Sequence, residues 1–157
     1  MKSKSKKIVN LLRRKKLKIA VAESCTGGML SSNFTAINGS SKVFKLGLVV
    51  YSNESKIKLL KIPKKIIKKY GAVSEKVCKN MVNNINKIGN TNLSIAVTGI
   101  AGPSGGTKKK PVGLVYVGIK KNNKINIKKY LFKNKNRTYI QKATVNKCLE
   151  LILRFVK

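Results

Sequence analysis

The chain has 157 residues, of which 42% are hydrophobic, a composition typical of one globular domain with its own core. It contains no histidine and no aspartate, which excludes Ser-His-Asp and Cys-His catalysis, histidine-ligated metals and aspartate-rich Mg²⁺ or Ca²⁺ sites built within one chain. The net charge is +32, from 36 lysines and arginines against four glutamates, and 32 of these cations are lysine.

A charge of this size attracts polyanions such as nucleic acids and anionic membranes. The lysines, however, form no single stripe along the sequence and lack the interleaved aromatic residues of a nucleic-acid groove. Lysine, asparagine and isoleucine are all abundant, as in proteins encoded by AT-rich genes. We therefore interpret the charge first as composition bias, and non-specific contact with nucleic acid as the alternative.

The cysteines and the apolar runs indicate where the protein resides. Cys25, Cys78 and Cys148 are odd in number and show no C-x-x-C pairing, so neither a disulfide framework nor a zinc site is predicted. No apolar run approaches the roughly 18 residues of a membrane span, and the basic N-terminus lacks a signal-peptide core. The sequence predicts a cytoplasmic protein with no membrane partner.

Helices and strands alternate along the chain. The periodicity predicts, in chain order, a helix over 2–16, a strand over 17–22, a helix over 29–34, a strand over 44–51, helices over 53–60, 63–70 and 74–88, strands over 93–97, 112–119 and 124–132, and a helix over 137–155. The last two strands are close enough in sequence to form a hairpin. This order predicts an α/β protein: a three-layer α/β/α sandwich with a mixed, mostly parallel sheet, in one domain over residues 1–157.

Two glycine-bearing loops follow hydrophobic strands directly, at residues 24–28 and 98–106. Because ligands bind at the carboxyl ends of strands in open α/β sheets, both loops are candidate site loops. Ser24 lies at a strand-to-helix turn, where a hydroxyl is exposed beside backbone N–H groups that can stabilise negative charge. The structural alternative is that Ser24 only caps the helix, which is the commoner use of such a serine.

Lys56 offers a base for this serine in a chain without histidine. If Asn53 caps the following helix, Lys56 falls in the first turn, where the helix macrodipole and partial burial lower the pKa of a lysine. Ser-Lys pairs are a known form of nucleophilic catalysis. Tyr51 lies at the end of the preceding strand and offers a hydroxyl to relay a proton between the two. Since one residue in five is lysine, chance placement is the alternative.

The loop over residues 98–106 has free backbone N–H groups suited to a phosphate or an oxyanion. It matches neither a Walker loop nor G-x-G-x-x-G. Cys25 adjoins Ser24 and is the rival nucleophile, although a small buried packing residue is the more ordinary interpretation.

Six short segments occur together in one order, and they are A-E-S-C-T-G-G at 22–28, G-S-S at 39–41, V-Y-S-N-E-S-K at 50–56, G-A-V-S-E at 71–75, T-G-I-A-G-P at 98–103 and K-P-V-G at 110–113. Together they resemble the CinA C-terminal domain family, from about residue 5 to the C-terminus. This family includes stand-alone nicotinamide-nucleotide amidases of the PncC type. Ser104 departs from the family pattern, since many members carry an acidic residue there.

The resemblance implies a metal-independent amidase that uses no cofactor and hydrolyses the carboxamide of nicotinamide mononucleotide, giving nicotinate mononucleotide and ammonia. It implies Ser24 as nucleophile, Lys56 as general base and Tyr51 as a third member that orients or relays. It implies a homo-oligomer, and substrate contacts at Cys25, Thr26, Gly27, Gly28, Thr98, Gly99, Ala101, Gly102 and Arg137. The competing hypothesis is a non-catalytic, competence-related CinA-like module that binds nucleic acid or a protein.

Overall fold

The structure is a computed structural model that describes residues 1–133 and 136–157. Its helices are α1 (Lys2–Arg14), α2 (Met29–Thr35), α3 (Asn53–Lys58), α4 (Lys64–Tyr70), α5 (Glu75–Gly89) and α6 (Arg137–Val156). Its strands are β1 (Ile19–Glu23), β2 (Phe44–Val49), β3 (Leu93–Gly99), β4 (Leu114–Lys121) and β5 (Lys124–Leu131). A 3₁₀ turn at Ser40–Lys42, which the sequence patterns do not indicate, leads into β2.

The five strands form one mixed sheet in the order β2-β1-β3-β4-β5. β1 lies parallel to both β2 and β3, whereas β4 lies antiparallel to β3 and β5. The register pairs Glu23 with Val49 and Ala22 with Ala96. The carboxyl ends of β1, β2 and β3 therefore meet at one edge of the sheet, which is where a ligand site is expected.

Helices cover both faces of the sheet, which confirms the predicted three-layer α/β/α class. The core on one face joins α1, α2 and α6, with Ile8, Phe34 and Ile152 fully buried. The core on the other face is formed chiefly by α5, with Val77 and Met81 fully buried. β1 is buried along its whole length, because a central parallel strand is covered on both sides.

Several strand and helix limits differ from the sequence prediction by two residues, and the difference at the end of β2 bears on the cap of α3. The predicted strand runs to Tyr51, but the structure ends β2 at Val49. Ser52, and not Asn53, then caps α3: its hydroxyl accepts from the Ser55 N–H at 3.0 Å, and the Ser55 hydroxyl accepts from the Ser52 N–H at 3.1 Å. This reciprocal capping box needs a side-chain acceptor at both positions, which the Ser52 and Ser55 hydroxyls supply.

Gly113 fixes the loop before β4 to the end of β5. Its φ is +94°, its carbonyl accepts from the Phe132 N–H at 3.0 Å, and its N–H donates to the Ile100 carbonyl at 2.8 Å. A Cβ added there would lie 2.2 Å from the Phe132 carbonyl oxygen. We expect Gly113→Ala to lower the free energy of unfolding by about 2–4 kcal/mol, because strained backbone and overpacking add. Urea denaturation measures the free energy of unfolding.

Gly105→Ala is the matched control. Gly105 has a φ of +83°, but the atom nearest to an added Cβ lies 4.0 Å away, so this substitution should cost only about 1 kcal/mol. Equal losses in the two variants would contradict the packing argument.

None of the helices in the described residues is both long and apolar enough to cross a membrane.

Candidate active site

A cavity of about 310 Å³ opens at the edge where the parallel strands end. Eight of the twelve site residues predicted from the sequence line it, and they are Ser24, Cys25, Tyr51, Thr98, Gly99, Ala101, Gly102 and Arg137. Arg137 is the one charged residue of this lining within the part of the chain that the structure describes. The cavity is therefore suited to a ligand that carries negative charge.

Ser24 lies immediately after β1, in a tight turn that leads into α2. The turn is built by two glycines in the left-handed region, Gly27 at φ +60° and Gly28 at φ +97°. The Gly27 N–H donates to the Ser24 carbonyl at 3.1 Å. The side chain of Ser24 is buried at the base of the cavity, where a ligand would meet its hydroxyl.

Glu23 has a fully buried side chain, which binds the end of this turn that leads into α2. One carboxylate oxygen accepts from the N–H of Gly28 at 3.2 Å and of Leu30 at 2.9 Å. The other accepts from the N–H and the hydroxyl of Ser31, both at 2.7 Å. All four partners are donors, which fits an acceptor-only carboxylate. Glu23 therefore takes up the N–H groups at the start of α2.

Lys56 reaches Ser24 from α3. Its side chain is only 1% exposed, and its amine lies 3.0 Å from the Ser24 Oγ. The same amine donates to the carbonyls of Val50 at 2.8 Å and Tyr51 at 3.2 Å. The structure thus brings together the two side chains on which the predicted chemistry depends.

Burial lowers the pKa of Lys56 from 10.5 to about 8. The causes of a lowered pKa predicted from the sequence were the helix macrodipole and partial burial; the Ser52 cap places Lys56 one residue further into the helix, and burial is the dominant cause. A neutral amine has two N–H groups and one lone pair. Since two carbonyls accept the N–H groups, the lone pair is left to accept the Ser24 proton.

Cys25 is poorly suited to compete as nucleophile. Its side chain packs in the core beneath α6, and burial raises the pKa of its thiol to about 12. A thiol with that pKa is almost entirely protonated at neutral pH, and the thiolate is the reactive form.

Tyr51, predicted to orient or relay between Ser24 and Lys56, lines the same cavity as Ser24. Its side chain is 59% exposed, and its hydroxyl accepts a hydrogen bond from Arg137 at 2.9 Å. Within the described residues no hydrogen bond joins this hydroxyl to Ser24 or Lys56, and Lys56 contacts Ser24 directly. The Tyr51 side chain therefore lies in the cavity wall, and its backbone carbonyl accepts from Lys56, while a role for its hydroxyl as a relay stays a prediction.

Arg137, the first residue of α6, joins two walls of the cavity. One nitrogen donates to the Gly102 carbonyl at 2.8 Å and another to the Tyr51 hydroxyl. Both acceptors are neutral, and no ion pair in the described residues involves Arg137. Its charge is free to bind an anionic group, for which the planar guanidinium is well shaped.

Three predicted substrate contacts, Thr26, Gly27 and Gly28, lie outside the cavity lining. The N–H of Gly27 is bound to Ser24 and that of Gly28 to Glu23, so neither can bind a phosphate. The two glycines instead allow the turn. Sequence patterns show which amides lie at a helix start, but not that the Ser24 carbonyl and the Glu23 carboxylate already accept from those of Gly27 and Gly28. The Thr26 N–H is not bound in this way among the described residues.

Ile100, Ser104 and Gly105 also line the cavity and lie in the predicted site loop over 98–106, whereas Ala72 and Val73 were not assigned to the site from the sequence. The Thr98 hydroxyl donates to the Ala72 carbonyl at 2.8 Å and so fixes the loop after α4 against β3. The G-A-V-S-E segment at 71–75 was the available signal for this wall, since it is one of the six motifs.

Within the described residues, no group of three or more His, Cys, Asp and Glu side chains could hold a metal ion.

The fold and the site together define a class of protein: an α/β domain with a buried Ser-Lys pair at the base of a cavity. The cavity is also lined by an arginine that forms no ion pair among the described residues. A family model described as CinA C-terminal domain matches residues 1–156, and the chain belongs to this family.

Curated relatives and solved structures also support membership of this family. A CinA-like protein from Prochlorococcus marinus (strain MIT 9515) is 54% identical over 144 residues, which are 90% of this chain and 33% of that protein. A competence-damage inducible protein from Thermoanaerobacter pseudethanolicus is 46% identical over 149 residues, 95% of this chain and 36% of that protein. The chain thus spans about a third of the length of these curated relatives.

The crystal structure of competence/damage inducible protein CihA from Agrobacterium tumefaciens superposes with a TM-score of 0.97 at 34% identity, covering 99% of this chain and 95% of that chain. The structure of a competence or damage-inducible protein from Enterobacter asburiae gives 0.95 at 29% identity, covering 99% and 98%. These matches confirm the α/β class for the whole described chain.

Proposed function

We propose that this protein is a metal-independent serine amidohydrolase that converts nicotinamide mononucleotide to nicotinate mononucleotide and ammonia. The observation that carries the proposal is the buried amine of Lys56 at 3.0 Å from the Ser24 Oγ. Burial keeps a useful share of Lys56 neutral near pH 8, so it can act as the base that a histidine supplies elsewhere. A cytoplasmic location is part of the same proposal.

In the first step the Ser24 oxygen attacks the carboxamide carbon while Lys56 accepts the hydroxyl proton. The new C–O bond gives a tetrahedral oxyanion. Collapse of this intermediate breaks the C–N bond, and Lys56 returns the proton to the departing nitrogen, which leaves as ammonia. The product of this step is an acyl ester on Ser24 with Lys56 neutral again.

In the second step water attacks the acyl ester, and Lys56 accepts a proton from it. The C–O bond to Ser24 breaks, and the proton passes to the serine oxygen. The carboxylic acid that is released ionises at neutral pH. Lys56 therefore serves both halves of the reaction, which fits its direct contact with Ser24.

Arg137 is proposed to bind the phosphate of the substrate. We expect Arg137→Gln to raise KM for the mononucleotide about 10- to 100-fold with little change in kcat, because one charge-assisted contact is lost. Nicotinamide riboside, which lacks the phosphate, is the matched substrate. Its kcat/KM should be nearly equal in the variant and the wild type, and an equal loss for both substrates would contradict this role.

The decisive test is ammonia release from nicotinamide mononucleotide by the purified wild type, with product identified as nicotinate mononucleotide. No release above the rate of a Ser24→Ala preparation would contradict the proposal.

The net charge of +32 favours one other function, a module that binds nucleic acid. A salt titration separates the two. Binding to nucleic acid should fall steeply with salt, whereas amidase turnover should depend on salt only weakly, and tight salt-sensitive binding without turnover would favour the module.

A further inference from the structure

The turn after β1 contains two backbone N–H groups that are not used by the fold. Among the residues that the structure describes, no other residue accepts from the N–H of Cys25 or Thr26, whereas those of Gly27 and Gly28 are bound within the turn. Cys25 lines the cavity beside Ser24. Thr26, the next residue of the same turn, lies just outside the cavity lining. The two amides are therefore the candidate donors for negative charge that develops next to the Ser24 oxygen.

The direction of each N–H is fixed through the carbonyl of the same peptide, since the two point in opposite directions in a trans peptide. The Ser24 carbonyl, in the peptide of the Cys25 N–H, accepts from Gly27. The Cys25 carbonyl, in the peptide of the Thr26 N–H, accepts from the side-chain amide of Gln141 at 2.9 Å. The first bond lies within the turn, but the second comes from α6, 116 residues away in sequence.

We propose that Gln141 is a positioning residue of the oxyanion site: by holding the Cys25 carbonyl it aims the Thr26 N–H at the developing oxyanion. This inference rests on the proposed amidase function and deepens it. Gln141 itself contacts neither Ser24 nor Lys56 by a hydrogen bond, within the described chain, so it acts only through the peptide.

The packing of α6 against the core fixes the position of Gln141 and so of its contact with the Cys25 carbonyl. Gln141 lies one helical turn after Arg137, so both lie on the same side of the helix: Arg137 lines the cavity and Gln141 reaches the Cys25 carbonyl. The flanking Ile140 and the following Thr144 and Val145 are fully buried. The Glu23 carboxylate holds the other end of the turn at Gly28. The peptides between these two anchors are thus held without any use of their free N–H groups.

The test replaces the donor with a side chain of similar length that cannot donate, Gln141→Met. We expect kcat for nicotinamide mononucleotide to fall about 10- to 100-fold with KM within about twofold of wild type, because loss of a whole oxyanion donor costs about 100- to 1000-fold and here the donor is only misaimed. Gln141→Glu, also without a donor, is the second variant if Gln141→Met does not fold. Lys142→Met, an exposed neighbour on α6, is the control and should match the wild type in both constants.

Covalent labelling of Ser24 by an alkyl fluorophosphonate gives a readout independent of the amide substrate. The serine oxygen forms a bond to phosphorus, the P–F bond breaks, and the serine proton leaves with fluoride. In Gln141→Met the rate should fall about tenfold or more, while the final labelled fraction, measured by intact mass, equals that of wild type. A lower final fraction with an unchanged rate would show only a loss of folded protein and would overturn the inference.

The two possible failures are distinguishable. If the wild type releases ammonia and is labelled, but Gln141→Met does both at the wild-type rate, the role of Gln141 is wrong and the amidase proposal stands. If the wild type neither releases ammonia nor is labelled at Ser24, the proposed function fails and this inference fails with it.

Discussion

Replacing Ser24 by alanine is expected to lower kcat/KM for nicotinamide mononucleotide by at least about 10⁴-fold, the scale on which loss of a covalent nucleophile acts. The acyl ester cannot form without the Ser24 oxygen, and no other side chain contacts the Lys56 amine by a hydrogen bond in the described chain. The measurement is ammonia release under substrate saturation and under kcat/KM conditions.

The fold should not change with this substitution. Ser24 contributes its backbone carbonyl to the turn, which alanine retains, and thermal melting should stay within a few degrees of wild type. Cys25→Ser is the matched control at the neighbouring position, where a small loss from changed packing is expected but activity persists. If Cys25→Ser abolished turnover and Ser24→Ala did not, the nucleophile would have to be reassigned to Cys25.

The fold class was predictable because its evidence is local and repeated. β1 and β3 are short apolar runs directly followed by glycine-bearing loops, and α5 has an apolar face of Val77, Met81 and Val82 behind the Ser74 cap. The antiparallel pairing of β4 with β5 was predicted from the length of the loop between them. The 3₁₀ turn before β2 gives no periodic signal, since it is one turn long.

The site was predictable only in part, because sequence spacing does not reveal side-chain direction. Ser24 and Lys56 were paired on chemistry, since a chain without histidine needs another base. The position of Tyr51 could not follow from that reasoning, because its hydroxyl is set by Arg137, 86 residues away. Gln141 carried no motif at all: a lone amide on a helix becomes informative only when its acceptor is known.

Lys56 is expected to control the pH dependence of activity. Its pKa is lowered to about 8, so the neutral, basic form increases about tenfold per pH unit below pH 8 and levels off above it. We expect kcat/KM to follow the same curve. A pH profile that is flat between pH 6 and 8 would contradict a general base at Lys56.

Lys56→Arg should lose at least about 10³-fold in kcat/KM at every pH, because arginine does not deprotonate in this range and so cannot accept the Ser24 proton. Lys56→Met should lose as much for want of any base. Activity in Lys56→Arg close to that of wild type would show that position 56 supplies only charge.

Lys56 also makes the stability of the fold depend on pH. The sign is opposite to that of a lysine whose pKa rises on folding because it gains an ion pair. Folding lowers its pKa from 10.5 to about 8, so between these values the unfolded chain binds more protons and stability rises with pH. The contribution of neutral Lys56 is complete above about pH 10.5 and is lost as pH falls through about 8. The difference in unfolding free energy between wild type and Lys56→Met should therefore rise by about 3 kcal/mol across this window.

Taking the difference cancels the titration of the other 31 lysines, which both proteins share. Urea denaturation at pH 7.5, 9 and 10.5 measures it, and a difference that is constant with pH would mean that the amine beside Ser24 is charged in the folded protein and is no base.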